Sequence, residues 1–103
     1  MDFVNRLKNI RYANQYQKET ELWDVEGILH NQIFKFDLRP LKNNSKFGSL
    51  ETKSDKMVFD MEDKWIIVDI EELHTYIKKH KLKIVQLEDL LKNTDWNILL
   101  PKK

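Results

Sequence analysis

Residues 23–38, WDVEGILHNQIFKFDL, carry the alternation that decides the fold class. Apolar side chains fall at every second position, Trp23, Val25 and Leu29, then Phe34, Phe36 and Leu38, with Gly27 in the same phase. A period of two belongs to a strand with one buried face. A two-residue turn at Asn31 and Gln32 sets Leu29 opposite Phe34, Gly27 opposite Phe36 and Val25 opposite Leu38, an antiparallel hairpin with one apolar side. Asn-Gln lacks the glycine that usually supplies positive φ in such a turn.

Working outward, Asp2 is a suitable N-cap, and Phe3, Leu7, Ile10 and Ala13 form one stripe of a first helix ending near residues 16–18. The hairpin spans about Glu21 to Arg39 and stops at Pro40, which cannot donate to a continuing central strand. Residues 41–55, rich in Asn, Ser and Lys, read as a long flexible loop, a feature that is uncommon inside a compact domain. Lys56 to Asp60 and Lys64 to Asp69 make a second hairpin. Its Trp65, Ile66, Ile67 and Val68 are apolar on both faces, so this strand is central. Asp69 with Glu72 three residues later predicts a capping box opening a helix to about Lys81, with Leu73 and Ile77 inward. Leu87, Leu90 and Leu91 predict another short helix, and Trp96 to Leu100 a last strand or strap before Pro101. The expectation is α+β: one domain over 1–103, with a mainly antiparallel four-stranded sheet made of two hairpins. An N-terminal helix and one or two C-terminal helices pack on one face of that sheet.

Composition narrows the classes. With 41% hydrophobic and 34% charged residues the chain is globular rather than disordered. Cysteine is absent, which excludes disulfides and thiolate metal sites. No apolar run reaches the roughly 18 residues a membrane span needs, so a cytoplasmic protein without membrane partners is expected. The net charge of +1 argues against both a nucleic-acid mimic and a basic packaging protein. Its distribution is uneven. Arg6, Lys8, Arg11 and Lys18 lie near the N-terminus, and Lys78, Lys79, His80, Lys81 and Lys83 follow one another. Asp60, Glu62, Asp63, Asp69, Glu71 and Glu72 cluster between them around Lys64.

Three patterns bear on catalysis. Asp37 with the triplet Glu51-Thr52-Lys53 is similar to the D…ExK signature of restriction-endonuclease-like nucleases. That resemblance implies Asp37 and Glu51 as magnesium ligands and Lys53 as the residue that positions water. The triplet's neighbours, Gly-Ser before it and Ser-Asp-Lys after it, read as loop, and a pattern this short arises by chance in a chain one-third charged. In the hairpin register above, Glu26 faces Asp37, a carboxylate pair able to share a metal or a proton. Lys35 and Arg39 beside them give the plainer reading, a balanced solvated face. Glu71 and His74 have di-iron spacing but no second copy. With only Gly27 and Gly48, no phosphate-cradling loop exists. No cofactor and no metal is expected.

Binding patterns are fuller. Lys42, Lys46, Phe47 and Lys53 make a basic loop with one stacking aromatic, while Lys78, Lys79, Lys81, Arg6 and Arg11 could contact phosphate. Tyr12 and Tyr16, four apart, and Trp96 with Ile98, Leu99 and Leu100 offer a protein-binding surface, against burial in a small core as the bland alternative. The reading is a small non-enzymatic interaction protein that binds and blocks or modulates a protein or nucleoprotein partner. The Lys, Asn and Ile bias matches small proteins of phages and mobile elements, and an anti-CRISPR-like inhibitor of a bacterial defence nuclease is its concrete form. The alternatives are a nucleic-acid binder using its lysines and a magnesium-dependent nuclease.

Overall fold

The computed structural model describes residues 2–40, 52–81 and 87–102. Of the long connection expected over 41–55, only 52–55 lies within these residues, and Lys42, Lys46, Phe47 and Glu51 lie outside them. The described elements are a 3₁₀ helix (Asp2–Arg6), β1 (Lys8–Tyr12), α1 (Gln15–Thr20), β2 (Val25–Leu29), β3 (Gln32–Pro40), β4 (Lys56–Asp60), β5 (Lys64–Asp69), α2 (Ile70–His80), α3 (Leu87–Lys92) and β6 (Asn97–Pro101). The strands form one α+β sheet in chain order, β1-β2-β3-β4-β5-β6, antiparallel throughout except where β3 pairs parallel with β4.

The central hairpin forms with its apolar face inward, but in a different register. Val25 pairs with Phe36, Gly27 with Phe34 and Leu29 with Gln32, so the turn residues are His30 and Asn31 at φ 50° and 66°. Both angles are positive, as a type I′ turn demands, and Asn and His enter the left-handed region more readily than Gln. The slip of the pairing is two residues along β3, which leaves every side chain on its face. It does dissolve the expected Glu26–Asp37 pair, because Glu26 now stands opposite Lys35.

The N-terminal helix is the larger correction. Phe3 and Leu7 are buried as expected, but the chain makes only a 3₁₀ helix before Asn9, at φ 53°, opens a bulge in an edge strand. The true helix start is Asn14. Its Oδ1 accepts from Gln17 N at 2.8 Å while Asn14 N donates to Gln17 Oε1 at 3.0 Å, a reciprocal capping box. Among the described residues the sheet accordingly has six strands rather than four, with the two added edges β1 and β6.

The helices do not share one face. On one side α2 and α3 bury Leu73, Leu87 and Leu90 against Met57, Phe59, Ile66 and Val68. On the other, the 3₁₀ helix inserts Phe3 and Leu7 among Val25, Phe36, Val58, Trp65 and Ile67. Phe3 meets Phe36 and Trp65 edge to face, with centroids 5.1 and 5.9 Å apart. β5 supplies both cores, which is why its four apolar residues show no alternation. The sheet curls round the second core. Phe34 of β3 reaches Trp96 at the head of β6 with centroids 6.2 Å apart, and Arg6 Nη2 donates to Pro101 O at 3.0 Å.

Leu7 packs directly on Gly27, where an added Cβ would lie 2.9 Å from Leu7 Cβ. Gly27→Ala should therefore destabilise the protein by about 1–3 kcal/mol, as overpacking of a filled core does, measured by urea unfolding. An unchanged midpoint would show that the 3₁₀ helix moves aside freely.

Candidate functional site

Lys56 is the most buried cation among the described residues, only 6% exposed, at the first position of β4. Antiparallel pairing sets it opposite Asp69, and its Nζ lies 2.7 Å from Asp69 Oδ1. The ammonium also lies 3.6 Å from the centroid of Trp96 and 4.8 Å from that of Phe34, so two ring faces meet the charge that water would otherwise solvate. Asp69 divides its oxygens. Oδ2 accepts from Glu72 N at 3.1 Å as the N-cap of α2. The capping box expected here is half formed, because the Glu72 carboxylate turns away to accept from Asp95 N at 3.2 Å and Trp96 N at 3.0 Å. A cleft of about 480 Å³ opens beside this group, walled by Ile33, Phe34, Ser54, Asp55, Glu71 and His74 among others.

The residues singled out for nuclease chemistry do not converge in what is described. Asp37 is 3% exposed and both its oxygens are held in a fork by Arg39, at 2.7 Å from Nε and 2.8 Å from Nη2. That bidentate grip occupies the edge a magnesium ion would need. The Lys53 side chain is exposed and its backbone N donates to Glu21 O at 2.8 Å, while Glu51 lies outside the described residues. No group of three or more histidines and carboxylates among the described residues is placed to hold a metal ion. Thr52, between Glu51 and Lys53, is buried, and its Oγ1 donates to Leu22 O at 3.3 Å and lies 2.8 Å from Ser54 Oγ.

The cations predicted to bind phosphate are spread over separate surfaces. Lys78, Lys79 and Lys81 are exposed around the last turn of α2, with Lys81 at φ 54° as its left-handed cap. Arg6 sits on the opposite face of the sheet, its guanidinium 5.4 Å from the Trp65 ring centroid. Arg11 pairs with Glu26 at 3.2 Å and lies 5.2 Å from the centroid of Trp23, which is fully buried and donates through Nε1 to Glu21 Oε1 at 2.8 Å.

The aromatic candidates separate cleanly. Trp96 and Ile98 pack against the second core, so burial accounts for them. Tyr12 and Tyr16 do not: they are 63% and 70% exposed, at the end of β1 and the start of α1. No known protein family, curated protein or solved structure matches this chain. No described helix is long and apolar enough to cross a membrane. Any functional conclusion therefore rests on the surfaces themselves. Of the five large apolar side chains exposed among the described residues, Ile10, Tyr12 and Tyr16 fall within one short stretch, with Ile33 and Leu99 elsewhere.

Sequence reading missed the Lys56 group because only the register of β4 with β5 brings Lys56 and Asp69 face to face. Its role in holding the fold is open to a double-mutant cycle. Asp69→Asn keeps a competent cap but leaves the ammonium without its anion, and should cost about 3–4 kcal/mol, the lower part of the range for a broken buried pair because Asp69 is one-fifth exposed. Adding Lys56→Met should recover much of that loss in chemical denaturation. A double variant no more stable than Asp69→Asn alone would mean the pair is not coupled.

Proposed function

We propose that this protein is a small binding module that docks on a protein partner, free or within a nucleoprotein, through the β1 edge and α1, and blocks or modulates it by occupying that surface. The observation that carries the reading is the exposure of Tyr12 and Tyr16 beside a strand with only one neighbour in the sheet. A small domain buries its large aromatics when it can, and Phe3, Trp23, Phe36 and Phe59 are all fully buried. Tyrosine left in water is the residue type most enriched at interface hot spots, where a broad apolar ring and a hydroxyl both find partners.

The backbone of β1 supports the same conclusion. All five of its residues are exposed, and its outer side has no strand beside it among the described residues. An extended segment of a partner can pair there, with alternate side chains read by Ile10, Tyr12 and the Arg11 guanidinium. Lys8 gives this edge a cation that no described carboxylate pairs, while Arg11 is held by Glu26, and that charge favours a partner segment carrying a carboxylate. A nuclease of bacterial defence, the partner suggested by the Lys, Asn and Ile bias, is a protein of the class such a module could block.

The test is capture of partners by the tagged protein with and without nuclease treatment, followed by affinity measurement with the purified partner. A stoichiometric protein partner should survive nuclease, and the double variant Tyr12→Ser, Tyr16→Ser should bind it at least ~30-fold more weakly, the loss of one ~2 kcal/mol hot spot. Undiminished binding by the double variant would overturn the assignment of this edge. Loss of everything bound on nuclease treatment would move the function to the lysines of α2.

A further inference from the structure

The geometry points to a second site, which shares only Lys8 with the docking edge: a phosphate-ester pocket between the start of β1, the β2-β3 turn and β6. The cleft measures about 290 Å³, and its polar lining is Arg6, Lys8, His30 and Asn31 over a floor that includes Leu29 and Leu100. No carboxylate lines it, although the chain carries 17 acidic residues. The two larger clefts differ in this respect. One is walled by Asp69, Glu71 and Glu72, the other by Asp55, Asp69 and Glu71.

Each polar group is held for a reason visible in the fold. Arg6 donates one Nη2 bond to Pro101 O at 3.0 Å and lies over Trp65, which fixes the guanidinium plane while other N–H donors remain. Lys8 opens β1 and pairs with no carboxylate among the described residues. His30 and Asn31 are the two left-handed turn residues, fixed by the register of the hairpin. The curl of the sheet round Phe3 brings Leu100 of β6 to the same cleft as Leu29 of β2.

These groups select the ligand. Guanidinium, ammonium, imidazole and amide donors together exceed what the two oxygens of a carboxylate can use. A phosphate monoester offers three terminal oxygens and a charge of about −1.5 to −2. The apolar floor accepts the body that carries the phosphate. A volume at the low end for ligand pockets limits that body to about the size of one nucleoside. The source of the phosphate is a free nucleotide or the end of a nucleic-acid strand, and the two are separable by experiment.

The experiment is a titration of the isotope-labelled full chain with adenosine monophosphate, with inorganic phosphate and with a 5′-phosphorylated pentanucleotide, followed through backbone amide shifts and repeated at raised salt. Saturable shifts centred on Arg6, Lys8, His30 and Asn31 are expected. Lys8→Gln and His30→Gly, at exposed positions remote from the cores and the latter compatible with the left-handed turn, should each weaken binding about tenfold, whereas Tyr12→Ser with Tyr16→Ser should leave it unchanged. Pentanucleotide binding tenfold or more tighter than the mononucleotide would assign the site to strand ends, and equal affinity would assign it to free nucleotides. The proposal is overturned by shifts absent at millimolar ligand, or by binding that Lys8→Gln and His30→Gly leave intact. Neither result bears on partner capture through Tyr12 and Tyr16.

Discussion

A closed circuit of polar contacts runs from Lys56 to Asp69, from Asp69 to the backbone of Glu72, from the Glu72 carboxylate to the backbone of Trp96, and from the Trp96 ring back to Lys56. It joins the head of β4, the junction of β5 with α2 and the entry to β6, and Phe34 adds β3. Removing a lysine from water costs several kcal/mol, and the arrangement offsets that cost with one carboxylate and two ring faces. A leucine at this position would bury more cheaply but would not specify where α2 starts or where β6 enters. The circuit thus fixes the relative placement of elements whose apolar faces alone would tolerate several arrangements.

How far the sequence could be read follows from which residues are buried on which side. β2, β3, β4 and β5 were legible because their side chains face a core on one or both faces and so carry a pattern. The slip in the central register escaped notice for the same reason it did little harm: a two-residue shift conserves the period. β1 was illegible because all five of its residues are exposed, so no alternation marks it. Phe3, Leu7, Ile10 and Ala13 matched helical spacing, yet Ile10 points to solvent while Phe3 and Leu7 dive under the sheet. The Asn14 to Gln17 capping box is the one local signal in the sequence that marks the helix start, and a reading that takes Asp2 as the N-cap passes over it. Parallel pairing of β3 with β4 also had a trace in the sequence, since parallel strands need a connection of about a dozen residues or more and the stretch from 41 to 55 provides it.

The site residues divide in the same way. Arg6 and Arg11 were visible as cations, but their placement over Trp65 and Trp23 depends on tertiary contacts. Tyr12 and Tyr16 were noticed for a spacing they do not share, being on a strand and a helix rather than one helix. His30 and Asn31 had no local signature as ligand groups. Their position follows from the type I′ turn, and the turn follows from a register that residue types alone underdetermine.

The two edges of the sheet are not equivalent, and the difference is chemical. β6 ends in Pro101, which lacks an N–H, and Arg6 already occupies its carbonyl, so that end offers little for another strand to pair with. β1 has a bulge at Asn9 and cations at Lys8 and Arg11, the devices that discourage indiscriminate strand addition. It also carries exposed Ile10 and Tyr12, which such guarding does not require and which a merely soluble edge would replace with polar residues. A guarded edge that retains an aromatic and an aliphatic contact rejects copies of itself by charge repulsion, while a segment with carboxylates and an apolar face can still pair. Selectivity then resides in the partner's ability to neutralise Lys8 as it covers Tyr12.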